Sequence, residues 1–213
     1  MRWFILANGE AKRWNNYLGV DKPLIQIDGE TLLSRTVRLL KENNQEDIII
    51  IGKYEIEGAK NYIPPFLNTK HEMFRDLGKM SDDPFVILNG DCYYTEAIIK
   101  DIIDRDTKKW LHWCCQRPNK ITGKPWEEGY AHKIVDFKWW TIKLTEYCDK
   151  VSKGEIKHIS DWCINRYLIG IDLYIHQPNL MKDFDVDWED ETDDMDYPID
   201  YHRWMKNVKG IDA

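Results

Sequence analysis

The side chains best placed for chemistry in this sequence come early. An apolar run, Trp3-Phe4-Ile5-Leu6, leads into Ala7-Asn8-Gly9-Glu10-Ala11-Lys12-Arg13-Trp14, and Asp21-Lys22-Pro23-Leu24 follows, with a glycine turn at Asp28-Gly29. A strand that ends in small residues lets main-chain N–H groups close on a ligand. Gly9 suits that turn because it tolerates positive φ and adds no side chain to block approach. Arg13 brings a planar multidentate fork and Lys22 a compact point charge, a pair suited to a chain of phosphates. The chemistry expected of this stretch is the binding of a nucleoside triphosphate. Further on, Phe85-Val86-Ile87-Leu88 ends at Asn89-Gly90-Asp91. A carboxylate at such a strand end is a hard oxygen ligand of the kind Mg²⁺ takes. Read alone, the same triplet is an ordinary turn.

Strands and helices alternate along the chain in a way that would bring these residues together. Residues 3–6 read as a buried strand, and 31–43 as a helix whose Leu33, Val37 and Leu40 share one face. The β-branched run 48–51 ends at Gly52, as a central strand covered on both faces should. A weaker segment, 63–67, is interrupted by Pro64-Pro65. Helical character over 69–79, the strand 85–88, a helix over 96–104 and a strand over 111–115 continue the pattern, and 134–144 and 167–176 read as further strands. Alternation of this kind predicts an α/β fold: a mostly parallel, mixed central sheet in a three-layer, Rossmann-like α/β/α arrangement. Ligands of such sheets bind beyond the carboxyl ends of the strands, where Gly9 and Asp91 both fall.

Composition excludes several classes. At 213 residues the chain is expected to form one domain. A net charge of -7 argues against a general nucleic-acid binder, which needs clustered Lys and Arg. No apolar run approaches the roughly 20 residues of a membrane span, and the N-terminus lacks a signal-peptide pattern. The five cysteines show neither a C-x-x-C pair nor zinc-like spacing, and the six histidines show no metal spacing. Reduced thiols and a cytoplasmic location are expected. Most of the ten tryptophans are expected to fill the core. No phosphate loop of the G-x-x-x-x-G-K-[ST] type, no nucleophile elbow and no H-E-x-x-H helix is present. The alternating acids from Asp183 to Glu189 do not satisfy the EF-hand pattern, since Trp188 and Asp194 stand where Gly and Glu are required.

Taken together, the loop from Leu6 to Arg13 and the Lys22-Pro23-Leu24 triplet resemble the signature of the nucleotidyltransferases of the GT-A-like fold. That family includes sugar-phosphate, choline-phosphate and molybdopterin-type NTP transferases. Its opening is L-A-A-G-x-G-x-R, followed some ten residues on by a K-P-L-type motif; Asn8 and Ala11 depart from it, while Arg13 and Lys22 match position for position. The strand ending in Gly90-Asp91 resembles the family's second motif. Asp194-Met195-Asp196-Tyr197-Pro198-Ile199-Asp200 resembles its D-x-D-T-P-E-D segment. The resemblance implies a GT-A-like fold and an enzyme that moves a nucleoside monophosphate from an NTP onto a phosphorylated small molecule, with release of pyrophosphate, as in sugar-nucleotide biosynthesis. It implies Arg13 and Lys22 as catalytic groups, and Leu6, Ala7, Asn8, Gly9, Asn89 and Gly90 around the nucleotide. It implies Mg²⁺ on Asp91 and Asp196, with Asp194 in reserve. It implies a nucleotide-binding part over about 1–110 and an acceptor-binding part over about 111–213, and Arg117, Trp126, Glu128, Tyr130 and His132 fall where the family places its acceptor-binding elements. The acceptor is left as a sugar phosphate or an amino-alcohol phosphate, because Trp and Tyr faces also attract quaternary ammonium groups. The expected partners are thus the NTP and this acceptor, with no nucleic acid and no membrane; monomer and homodimer stay open.

Two other readings compete. A GT-A glycosyltransferase shares the fold but consumes a nucleotide sugar, and the early loop with its Arg and Lys favours a triphosphate instead. A non-catalytic nucleotide-binding module gains some footing from Asn8 and Ala11.

Overall fold

The computed structural model describes residues 1–64, 69–174 and 181–212. Its frame is a seven-stranded sheet built from β1 (Arg2–Leu6), β4 (Ile48–Ile51), β5 (Lys60–Tyr62), β6 (Phe85–Asn89), β8 (Trp110–Cys115), β9 (Glu128–Ile134) and β10 (Asp185–Asp187). Two short ribbons lie outside it: β2 (Gln26–Ile27) with β3 (Glu30–Thr31), and β7 (Cys92–Tyr93) with β11 (Asp193–Asp194). The strand order is β10-β8-β9-β6-β1-β4-β5. β9 runs antiparallel to β6 and β8, and the other pairs of this sheet are parallel. The mostly parallel mixed sheet of an α/β fold is therefore present.

Side-chain alternation explains the three layers. On β1, Trp3 and Ile5 enter one core and Phe4 the other, all three fully buried. The first core is closed by α1 (Leu32–Glu42), through Leu33, Val37 and Leu40, and by α3 (Glu96–Asp104), through Ile98, Ile99 and Ile102. The opposite core is closed by α2 (Lys70–Lys79), α4 (Phe137–Ser152) and α5 (Asp161–Ile169), which contribute Phe74, Leu77, Trp140, Leu144 and Ile164. Six of the ten tryptophans, Trp3, Trp14, Trp110, Trp113, Trp140 and Trp204, are fully buried, so packing is their main use. A third, smaller cluster joins Trp14, Ile25, Ile27, Leu32, Tyr93, Met195 and Trp204, tying the early loop to α6 (Pro198–Trp204).

Two predicted strands are helices. The strand expected over 134–144 ends at Ile134, and α4 begins at Phe137, capped by the Asp136 carboxylate accepting from Trp139 N. Trp140, Leu144, Tyr147 and Cys148 then repeat at helical spacing and are buried. Residues 167–169 belong to α5, which Ser160 caps and Gly170 ends at φ 77°. The rest of that expected strand lies partly outside the described residues, as does most of the segment expected over 63–67.

Candidate active site

The carboxyl ends of β1 and β6 lie side by side, and their parallel register pairs Leu6 with Asn89. Gly90 makes this approach possible: a Cβ there would sit 2.6 Å from Leu6 O and 3.1 Å from Ala7 Cβ. Asn89 is fixed from both sides, its N–H donating to Tyr94 Oη at 2.9 Å and its Nδ2 to Gly129 O at 2.9 Å. Gly9 does not take positive φ, contrary to expectation; a Cβ there would meet nothing, leaving the space above it open. The left-handed residue is Ala11, at φ 47°, where the family motif has glycine. The loop then drops Trp14 into the third core, its Nε1 donating to Val20 O at 2.9 Å.

Asp91 and Asp196 are brought together by the β7–β11 ribbon, which begins just after the first and ends just before the second. Met195 N donates to Asp91 O at 3.1 Å and closes it. Lys22 opens a single 3₁₀ turn, Lys22–Leu24, with Pro23 at a position that needs no N–H. The residue is 7% exposed, and its ammonium donates to Asp91 Oδ2 at 2.5 Å and to Asp196 Oδ1 at 2.8 Å. Arg13 Nη2 pairs with the other oxygen of Asp196 at 2.5 Å, and its guanidinium lies 5.2 Å from the Tyr197 ring centre. Burial alone would lower the Lys22 pKa, but Asp91 and Asp196 outweigh it and raise it. Burial likewise works to raise the Asp91 pKa, and Lys22 overcomes it, holding the carboxyl below its usual range. The result is a fixed cation between two carboxylates.

These groups line one cavity of about 1110 Å³ that runs along the strand ends. Leu6, Ala7, Asn8, Gly9, Arg13, Lys22, Asn89, Asp91, Trp126, Glu128 and Asp196 all contribute to its wall, as does Asp194. Gly90 supports the wall from behind. Arg117, Tyr130 and His132 do not line it. Arg117 is bound to Asp187 at 3.1 Å and Glu189 at 3.3 Å. Tyr130 is in the first core, and His132 is buried, accepting from Trp110 Nε1 at 3.2 Å. On β9, Glu128 is half-buried at the cavity while Tyr130 packs in the first core and His132 against Phe74 and Trp140 in the second; a register irregularity opposite them, between Trp113 and Cys114, interrupts the alternation that would put all three on one face.

The far wall was not legible in the sequence. It comes from the N-terminal ends of α2 and α5, which present Thr69, Lys70, Ser160, Asp161 and Trp162, with Lys70 paired to Asp161. Beneath the near wall, Lys124 is buried against Asp194, with Glu128 Oε1 and Asp200 Oδ2 each at 3.4 Å. Burial pushes the Glu128 carboxyl up to about 7, with Asp196 and Asp193 adding to it and Lys124 opposing. Burial and the Glu128 charge also push Asp194 up. Among the described residues, no helix is long and apolar enough to cross a membrane.

Residues 3–111 match the MobA-like NTP transferase domain. The chain belongs to that family and is a nucleotidyltransferase. No curated protein matches it in sequence. Among solved structures, it resembles a protein from Bacillus anthracis assigned as a glucose-1-phosphate thymidylyltransferase and solved with a sucrose. The identity is 14%, over 100% of this chain and 97% of that one, with a TM-score of 0.61. The inositol-1-phosphate CTP transferase of T. maritima matches at 16% identity and TM-score 0.55, over 100% and 98% of the two chains. HddC from Yersinia pseudotuberculosis, complexed with GMP-PN, matches at 14% identity and TM-score 0.55, over 98% of each chain. At such identities the likeness is one of fold.

Proposed function

We propose that the enzyme transfers a nucleoside monophosphate from an NTP to a phosphorylated small molecule, a sugar phosphate or an amino-alcohol phosphate, and releases pyrophosphate. The observation that carries this reading is the bridge from Lys22 to Asp91 and Asp196, with Arg13 on the outer face of Asp196. Two carboxylates from separate elements converge on one cation at the mouth of a cavity that also exposes strand-end backbone. That donor set, hard oxygens already drawn around a positive charge, fits Mg²⁺. Asp91 and Asp196 would hold the ion, and the chemistry it would supply is to offset negative charge on the phosphates.

In the proposed reaction an oxygen of the acceptor phosphate attacks the α-phosphorus in line. The bond from that phosphorus to the bridging oxygen of the β-phosphate breaks, and pyrophosphate carries the electron pair away. A phosphomonoester is largely ionised near neutral pH, its second pKa being about 6, so no general base is needed. The chain's own contribution is position and fixed charge. Arg13 holds the phosphate tail, Lys22 opposes the charge that develops on the leaving group, and the backbone of residues 6–9 faces the base. Residues 1–110 would carry the nucleotide side and the later part of the chain the acceptor side, where Trp126 and Glu128 are the expected acceptor contacts.

The test is pyrophosphate release with Mg²⁺, pairing each of CTP, UTP, GTP, dTTP and ATP with a panel of sugar phosphates and amino-alcohol phosphates. Release that requires one NTP and one acceptor together is the expected outcome. Release from an NTP alone, or none from any pair by protein that binds an NTP, overturns the reading.

A further inference from the structure

Behind the Trp162 and Gly129 wall of the cavity, on the α5 side of the sheet, three side chains of metal-ligating type meet. His112 and Cys114 are two apart on β8 and so share a face, and Asp185 is the register partner of His112 on β10. One ligand atom from each lies within 4.8 Å of the others. His112 and Cys114 are buried, and the Asp185 side chain is 2% exposed. A register irregularity between Trp113 and Cys114 interrupts the β8–β9 ladder beside them, the kind of feature that re-aims a side chain.

An independent observation comes from α5. Asn165 is fully buried against this cluster, with Nδ2 3.4 Å from His112 Nδ1, while its Oδ1 has no hydrogen-bond partner. A buried carbonyl oxygen left unpaired loses the hydrogen bonds it made with water and is destabilising. The two ends of an amide are exchanged by a half-turn, which would set Oδ1 3.4 Å from His112 Nδ1, at the edge of the cluster. The ordinary account is a buried His–Asp hydrogen bond, 2.9 Å from His112 Nδ1 to Asp185 Oδ1, with Gln116 Nε2 on the other oxygen at 3.0 Å. That account satisfies Asp185 but gives Asn165 Oδ1 nothing to do.

We propose that His112 Nδ1, Cys114 Sγ, Asp185 Oδ1 and Asn165 Oδ1 form a binding site for one zinc ion, separate from the carboxylates of the catalytic cavity. Mixed N, S and O donors select a borderline cation over Mg²⁺ or Ca²⁺, which avoid sulfur. Four protein ligands and no opening make the site structural. It ties the edge strand β10 and helix α5 to β8, and α5 carries Ser160, Asp161 and Trp162 to the cavity wall.

The full chain, stripped with EDTA and returned to excess Mg²⁺ to occupy the catalytic carboxylates, is titrated with Co²⁺ as the probe. One equivalent is expected to bind with a near-ultraviolet thiolate-to-cobalt charge-transfer band, and one equivalent of Zn²⁺ to abolish the band. Cys114→Ser should remove the band and Cys92→Ser, at another buried thiol, should keep it. Asp185→Asn should weaken cobalt binding at least about tenfold, since loss of a direct ligand costs no less than loss of an outer-shell partner. Absence of the band in the unmodified protein overturns the site, and so does a band that survives Cys114→Ser. If Cys114→Ser does not fold, unchanged binding in folded Asp185→Asn overturns it equally.

Discussion

Lys22 does two jobs that separate experiments can pull apart: it holds two carboxylates in place, and it keeps a positive charge where phosphates are proposed to bind. Lys22→Met leaves Asp91 without its direct ion-pair partner and facing Asp196, which keeps only Arg13. A stability loss of about 1–3 kcal/mol is expected by urea denaturation, less than the 3–5 kcal/mol of a fully buried pair because Asp91 is partly open to solvent. Asp91→Asn keeps the Lys22–Asp196 pair, so its stability should change far less while kcat for pyrophosphate release falls on the order of 10²-fold or more. Equal effects of the two variants on both quantities would show that the bridge is structural only. Ala11 supports a different experiment. A non-glycine residue in the left-handed region costs roughly 1–2 kcal/mol, part of which glycine returns in unfolded-state entropy. Ala11→Gly is therefore expected to raise the melting temperature slightly, by up to about 1 kcal/mol of stability, and a drop would mean that the loop is held differently. At this scale the sequence was informative where a residue sat inside a motif, as Arg13, Lys22, Asp91 and Asp196 do. Lys70 and Asp161 lie 91 positions apart with no pattern linking them, and only packing of α2 against α4 and of α4 against α5 brings their helix starts to one wall.

Among the elements, the junction of β1 and β6 controls the site more than any helix does. The apolar residues of β1 are Trp, Phe, Ile and Leu and those of β6 Phe, Val, Ile and Leu, and both strands are buried on both faces, which is why they could be read directly as central strands. Their ends approach so closely that Gly90 has no room for a methyl group, with backbone on the opposing side that cannot swing away. Gly90→Ala must therefore push the two strand ends apart. A cost of about 1–3 kcal/mol is expected by denaturation, with a fall in kcat because Asp91 is the next residue along. Wild-type activity in a destabilised Gly90→Ala protein would separate the strand junction from the chemistry. The misread elements share a cause. Ile134, Val135 and Phe137 pass from β9 into α4 without glycine or proline to mark the boundary, and Trp139-Trp140 have strand-like propensity. The cap at Asp136 and the helical spacing of Trp140, Leu144 and Tyr147 decide the outcome, because a helix there covers the second core. In α5 the run Leu168-Ile169 looks equally strand-like, yet Leu168 packs in that same core from a helix.

For the molecule as a whole, the acids fall into two groups that oppose each other in pH. Asp91, Asp47 and Glu30 are held below their ordinary values: on Glu30 the Arg38 hydrogen bond leads, while on Asp91 and Asp47 burial is outweighed by Lys22 and Arg2. Their stabilisation is present above the unfolded pKa and is lost as pH falls through the folded one. Glu128, Asp193 and Asp194 go the other way because burial around Lys124 penalises their charged forms. Between the unfolded value of 4.5 and about 7, folded Glu128 keeps a proton that the unfolded chain has released. Its favourable contribution is therefore complete below 4.5 and is lost as pH rises through about 7. Each tenfold in proton affinity is about 1.4 kcal/mol, so the loss approaches about 3 kcal/mol at most, and less where water reaches the carboxyl. Glu128→Gln mimics the protonated acid at every pH. Its melting temperature should match that of the unmodified protein near pH 4 and exceed it by an amount worth about 1–3 kcal/mol near pH 8. Parallel pH curves for the two proteins would mean that Glu128 is charged throughout and that Lys124, not burial, governs it. Because Glu128 also faces the cavity, the curves with and without an acceptor phosphate carry further information. An acceptor that binds next to this carboxyl must shift the midpoint near pH 7, upward if it brings negative charge and downward if it brings positive charge, so the titration reads the charge of the acceptor group that docks there.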